Sequence, residues 1–400
     1  MTAASVPGDD APAVPLSWAS RLIMLTGGIA VAMALVALTP VLPQIDAALA
    51  HSPDDRLLVK LLVTVTGLTM VIGAPLAGFL TDRYGVRKIL LLFGLVFAVG
   101  GTAGLYLDSL PVLLVSRLLV GAASGAIAAI SMTMINTRLV GNDRAKWMGG
   151  HVAVASLCAL AIHPLAGFVG EFGWRWPFAL YSLGLLFSVL ALFGTDEVKA
   201  AAAPGVSADR AALLSWFPKR FILLALFIGA ITYLPVVYVP FVLRNAGVSS
   251  PLVISMVGFG DSILSASMSL LFARSQRWFS SRAGFLFSFA CTGLGLSIVT
   301  VWPSILGVFI GMGVFGLGIG WFVPNLMTAA ASLVGPDQQG RTVGIVKAAH
   351  YMAAPLCVVL VEPITRRFGP TSALTTAAVI AFALLVIFAV RLATPRRAPG

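Results

Sequence analysis

Polar residues interrupt the apolar runs of this chain at intervals of about twenty residues, the length a helix needs to cross a bilayer. With charged residues and Gly/Pro clusters as boundaries, twelve apolar segments emerge. The first six are 22–42, 57–80, 88–107, 110–135, 147–170 and 176–194. The second six are 221–243, 252–273, 284–301, 303–333, 342–364 and 372–391, the ninth and tenth being parted by Trp302-Pro303 alone. Lipid offers no partner for backbone N–H and C=O groups, so each segment is expected to close its own hydrogen bonds as an α-helix. The predicted fold is an all-α membrane protein of twelve transmembrane helices in two pseudo-symmetric six-helix bundles. The expected organisation is an N-terminal tail (1–21), a first bundle (22–194), a linker (195–220), a second bundle (221–391) and a C-terminal tail (392–400).

Composition agrees with this pattern. The chain is 59% hydrophobic and only 10% charged, against about 25% charged in an ordinary soluble domain. Its net charge of +11 raises nucleic-acid binding as a possibility. The basic residues, however, stand singly or in short clusters between apolar runs, with no continuous basic stripe. That distribution fits an orientation signal instead. One set of loops holds Arg83, Arg87, Lys88, Arg138, Arg144, Lys146, Arg210, Arg274 and Arg282, whereas the other holds Arg56, Lys60, Arg175, Arg244, Arg366 and Arg367. The excess places both termini in the cytoplasm. Cys158, Cys291 and Cys357 lie inside apolar runs at spacings that suit neither a metal site nor a disulfide framework. The polar segment before the first apolar run lacks the basic start and cleavage site of a signal peptide, so the first helix is expected to act as an uncleaved anchor.

The two halves carry an internal echo. Pro164-Leu165 precedes Glu171 at the same offset by which Pro355-Leu356 precedes Glu362. Repeats of this kind are common in secondary transporters.

Four segments have a recognisable pattern. The strongest is Gly78-Phe79-Leu80-Thr81-Asp82-Arg83-Tyr84-Gly85-Val86-Arg87-Lys88, between the second and third spans. The second is Arg117-Leu118-Leu119-Val120-Gly121, in which an arginine stands inside an apolar span. The third is Pro40-Val41-Leu42-Pro43-Gln44-Ile45, and the fourth runs from His163-Pro164-Leu165 to Gly173-Trp174-Arg175-Trp176. Together they resemble the major facilitator superfamily over essentially the whole chain, and most of all its twelve-helix drug–proton antiporters. The resemblance implies a conformational latch formed by Gly78, Asp82, Arg83, Gly85, Arg87 and Lys88. In the outward-facing state Asp82 would meet the start of the eleventh helix near Arg341-Thr342. One departure stands out: His163 occupies a place where the antiporter motif has glycine.

Ionisable groups inside spans are the candidates for proton coupling or substrate contact, because lipid makes them costly. They are Arg117, His163, Asp261, Lys347 and His350. Asp261 is the one acid near mid-span, and histidine titrates near physiological pH. Lys347 and His350 are three apart and expected on one helix face. The family packs its fifth and eighth helices together, which would let His163 meet Asp261. Tyr233, Tyr238, Trp321 and Asn325 are candidate cavity residues. The first helix has no mid-span acid, and with Arg117 and Lys347 inside spans this favours a neutral or anionic substrate.

The expected function is proton-coupled efflux of a small organic compound by rocker-switch alternating access. Proton-coupled uptake of an organic anion is the alternative, and a transporter-like membrane sensor is the reading from another class. No enzyme constellation, cofactor or metal site is visible. The expected partners are a small-molecule substrate, protons and the lipid bilayer, with no nucleic acid. The expected state is a monomer in a bacterial inner membrane.

Overall fold

The computed structural model describes residues 16–194, 219–275 and 280–393. The predicted linker therefore lies almost wholly outside the described residues, as do most of the two tails. Among the described residues, twelve helices are long and apolar enough to cross a membrane: α1 Trp18–Leu49, α2 Pro53–Tyr84, α3 Val86–Leu105, α4 Leu110–Arg138, α5 Gly141–Gly170, α6 Trp176–Gly194, α7 Phe221–Asn245, α8 Pro251–Phe272, α9 Ser281–Val301, α10 Ile305–Ala331, α11 Gln338–Phe368 and α12 Thr371–Val390. Trp18, the α2–α3 turn and the end of α12 share one face, here the terminal face. The α1–α2 and α11–α12 turns share the opposite, distal face.

Several helices run beyond their apolar runs because polar residues cap them. In α2 the Ser52 hydroxyl accepts from the Asp55 amide, and the Asp55 carboxylate accepts from the Ser52 amide at 2.9 Å. This capping box starts the helix at Pro53, whereas hydropathy alone begins it at 57. At the Trp302-Pro303 break, Ser304 accepts from the Gly307 amide at 3.1 Å and opens α10. α1 is not one regular helix. Its α-helical part ends at Val36, Thr39–Val41 forms a 3₁₀ turn around Pro40, and the chain resumes as Leu42–Leu49 with Pro43 in its first turn. Proline is tolerated there because a first-turn N–H has no helical acceptor to lose.

The same packing pattern appears twice. In the first half α1 packs on α4 and α5, α2 on α4, and α3 on α6; in the second α7 packs on α10 and α11, α8 on α10, and α9 on α12. The halves meet along α5–α8 and α2–α11. Backbone contact between α2 and α4 explains small residues there: a Cβ on Gly73 would collide with the Ala122 carbonyl oxygen. Interfaces of this kind need small side chains because lipid gives no hydrophobic drive to helix association. Gly85 joins α2 to α3 at φ +84°, a region that glycine enters without steric cost.

Candidate functional site

A cavity of about 630 Å³ lies between the halves, lined by α1, α2, α4 and α5 on one side and by α11 on the other. Its lining residues fall mainly in the half of each helix nearer the terminal face. Met70 and Val71 of α2 with Met132 of α4 give it apolar walls. Its ionisable lining consists of His151, Lys347 and Tyr351, and none of the lining residues is acidic. Lys347 is exposed, with its ammonium 5.7 Å from the centre of the Tyr351 ring. His151 is buried at its base and donates from Nδ1 to the Met24 carbonyl at 2.7 Å. That bond fixes the ring, with Nδ1 as its donor.

The distal face is closed by contacts between the halves. Lys60 of α2 donates to Glu362 of α11 at 2.7 Å, with both side chains largely buried. Arg366 bonds Glu362 on its own helix at 3.2 Å and reaches Asp54 of α2 at 2.8 Å. At the pseudo-symmetric position, Glu171, which caps the end of α5, accepts from the Ser250 hydroxyl and from the Leu252 amide in the first turn of α8. A carboxylate there also complements the positive end of the helix dipole. Arg244 of α7 donates to the Pro43 carbonyl in α1.

On the terminal face the latch residues are apart. Asp82 is exposed and has no ion pair among the described residues. The space beside Gly78 is open. Arg83 lies over the Tyr84 ring at 5.4 Å, and Arg87 and Lys88 are exposed. Arg341 has a buried Nη2 with no hydrogen-bond partner.

The intramembrane candidates do not gather at one place. Arg117 is fully buried among α3, α4 and α6 and does not line the cavity. Its Nη2 donates to the Gly100 and Gly101 carbonyls at 2.8 and 2.9 Å, and its guanidinium lies between the Phe178 and Tyr181 rings. Asp261 presses its carboxylate against Gly316 of α10, and its Oδ1 is buried without a hydrogen-bond partner. The His163 ring stands over Gly258, so helices 5 and 8 do pack together, but no hydrogen bond joins His163 to Asp261. His350 is buried, with its ring 5.3 Å from that of Tyr233 and 6.1 Å from that of Tyr351, the ring against which the exposed Lys347 also lies. A separation of three residues leaves two side chains about 60° apart around a helix, and here that is enough to send one to the cavity and the other to α7.

Tyr238 points to the distal network, with its hydroxyl 3.4 Å from Glu362. Trp321 packs edge-on against Phe272 and Phe287, and Asn325 is held by Ser281 through bonds of 2.8 and 2.9 Å. Of the candidates, Lys347 alone lines the cavity. No group of three or more His, Cys, Asp or Glu among the described residues is arranged to hold a metal.

The sequence reading did not single out His151, Lys60 or Arg366. The matching offsets of Glu171 and Glu362 were the available signal for the distal closure. Nothing local marked His151, which precedes the bulk of the α5 apolar run.

The sequence model described as Major Facilitator Superfamily matches residues 24–279. No curated protein matches the chain. Among solved structures, a D-xylose-proton symporter is similar with a TM-score of 0.75 at 15% identity, over 93% of this chain and 97% of its own. The inward-open xylose transporter XylE from E. coli gives 0.70 at 12% identity, over 92% and 94%. A variant of the nucleoside transporter NupG gives 0.75 at 12% identity, over 93% and 98%. At these identities the likeness is one of fold. Together with twelve membrane-spanning helices in a repeated arrangement, the family match shows a multi-pass membrane transporter: the chain belongs to the major facilitator superfamily.

Proposed function

We propose that this chain is a proton-coupled secondary transporter that exports a small, largely apolar organic anion by alternating access. It works as a monomer in a bacterial inner membrane, with the terminal face in the cytoplasm. The Lys and Arg excess near the α2–α3, α4–α5 and α8–α9 turns supports that orientation. In that orientation the cavity faces the cytoplasm, the distal closure faces outward, and the free Asp82 matches a latch that holds only in the other state. The observation that carries the substrate class is the cavity lining: Lys347 and His151 stand among apolar walls that carry no carboxylate. A cation would meet an ammonium there and no counter-charge. Export is supported by the Gly173-Trp174-Arg175-Trp176 junction, which is like that of drug–proton antiporters of the family.

Uptake of an organic anion with a proton is the second reading. It is favoured by His163, whose ring fills the space over Gly258 where the antiporter motif has glycine. Everted vesicles with an acidic lumen separate the two. Export by antiport is expected to concentrate a labelled apolar carboxylate in the lumen about tenfold, a change worth ~1.4 kcal/mol of gradient, and a protonophore is expected to abolish it. Symport predicts that the same gradient drives the anion out of the lumen. Gradient-independent binding without movement of any anion in the panel contradicts both and supports a sensor.

A further inference from the structure

We propose that a second pocket, on the distal face, binds a small organic anion with an apolar body and, while filled, holds the two halves together there. The site is separate from the cavity that carries the transport reading. Its effect on the cycle rests on the alternating-access reading above.

The pocket follows from the prolines that interrupt α1. Pro40 and Pro43 turn the end of that helix through the 3₁₀ turn Thr39–Val41. The turn packs on α5 of its own half and on α7 and α8 of the other, so the end of α1 lies across the seam. Beside it is a hollow of about 440 Å³, a volume within the range of small-molecule sites, roughly 300–1,000 Å³. Both halves build it. Pro43, Gln44 and Trp174 come from the first half, and Arg244, Val248 and Ile254 from the second.

Its chemistry selects an anion. Arg244 is the one charged residue of the lining, and none of the lining residues is acidic. Arg244 is exposed and has no ion pair among the described residues. One of its N–H groups donates to the Pro43 carbonyl, and a guanidinium carries several more in a fork that suits a carboxylate. The acids nearby do not replace a ligand. Glu171 accepts from Ser250 and Leu252. Asp46 of α1 lies in the field of Arg244 but also in that of Arg56 and Lys60, and it does not line the pocket. The Oε1 of Gln44 has no hydrogen-bond partner, so no bond at that oxygen fixes the amide against turning toward a ligand. Val248 and Ile254 are buried, and with the half-buried Trp174 they give the apolar and aromatic walls. Arg175 lies over the Trp174 ring at 4.4 Å and adds positive charge behind it. A cation entering here would meet a guanidinium and no counter-charge.

The position of the pocket gives it a consequence. It is flanked by two contacts that close the distal face, Arg244 to Pro43 and Glu171 to Ser250 and Leu252. Parting the halves carries Arg244 away from Gln44 and Trp174, and the pocket ceases to exist. A ligand that binds one state alone shifts the equilibrium toward it. An anion on the distal side therefore acts as a brake. Where the exported compound is itself an apolar anion, its accumulation on that side slows its own export.

The test uses fluorophenylacetate, followed by fluorine NMR, and the full chain in zwitterionic lipid nanodiscs with empty nanodiscs as the control. A Lys347→Gln background removes the cation of the other cavity, so no outcome here bears on whether that cavity takes an anion. Saturable binding is expected. Arg244→Gln is expected to weaken it about tenfold or more, as loss of a charge-assisted hydrogen bond does. Ala47→Trp, which fills the pocket from its exposed rim and keeps the Arg244–Pro43 bond, is expected to abolish it. Fluorophenethylamine, with the same ring and the opposite charge, is expected not to bind. For the brake, spin labels are placed at the exposed distal positions Ser109 and Val301, one in each half, after Cys158, Cys291 and Cys357 are replaced by alanine. Lys60→Met is added to weaken the distal closure, since it leaves Glu362 buried without its partner. Saturating fluorophenylacetate is then expected to raise the short-distance population about tenfold relative to the long one, and Ala47→Trp is expected to remove that response. Binding that ignores both Arg244→Gln and Ala47→Trp overturns the site, as does equal binding of the amine. Binding that leaves the distances unchanged, or lengthens them, overturns the brake.

Discussion

Lys347→Glu is expected to cut transport of an anionic substrate about a hundredfold or more while leaving the fold intact. Lys347 is exposed to the cavity, and no hydrogen bond or ion pair of the fold depends on it among the described residues. Its replacement therefore takes little from stability, since surface substitutions away from special features change stability by roughly half a kcal/mol or less. The effect on an anion is much larger. Two unit charges 4 Å apart interact by about 4 kcal/mol at the effective dielectric of a protein surface, and reversal replaces attraction with repulsion. Lys347→Gln is expected to fall between the two, and Lys347→Arg to retain most of the rate. Counterflow rates in proteoliposomes check this, with thermal unfolding of the same preparations as the control. Equal rates for parent and Lys347→Glu exclude the cavity as an anion site.

Arg117→Ala is expected to do the reverse, damaging the fold and not the substrate site. The guanidinium sits where α3 ends, so its charge meets the last carbonyls of a helix, the negative end of the dipole. Two charge-assisted bonds, each worth roughly 1.5–3 kcal/mol, and two aromatic faces are lost together. A loss of about 3 kcal/mol in a half of this size lowers the midpoint of thermal unfolding by roughly 6–12 °C. Arg117→Lys is expected to recover only part of this, because a single ammonium does not reproduce the planar fork. Saturating substrate is expected to leave the deficit in place. A variant with parental stability and lost transport would return Arg117 to the list of substrate contacts.

These two residues also show how far a sequence discloses such a protein. Both are basic, both lie inside apolar spans, and hydropathy treats them alike. Only the packing separates them. Arg117 meets the glycines at the end of α3, while Lys347 looks into a gap left by α5 and α4. The helices themselves were legible, because lipid forces a twenty-residue period that few sequences show by accident. Their ends were less so, since Ser52 and Ser304 extend or restart helices through one or two hydrogen bonds each. The break at Trp302-Pro303 was read correctly, although proline alone does not end a span here: Pro75, Pro164 and Pro324 lie inside helices.

The distal gate was half visible. The offsets of Glu171 and Glu362 announced a repeat, but not that one mate is buried against a lysine while the other caps a helix. That difference depends on residues about three hundred positions away along the chain, Lys60 and Asp54. Pairings across a pseudo-symmetry axis leave no local pattern. The same holds for His151, whose role depends on the Met24 carbonyl of another helix.

The central claim is that the two halves must part at the distal side for transport to proceed. Gly67 of α2 and Ala354 of α11 allow this to be tested directly, because a Cβ on Gly67 would lie 3.8 Å from that of Ala354, within the spacing a disulfide requires. In a chain with no other cysteines, Gly67→Cys with Ala354→Cys is expected to stop transport when oxidised and to recover it on reduction, while each single variant transports in both conditions. Undiminished transport by the fully cross-linked chain would contradict the account.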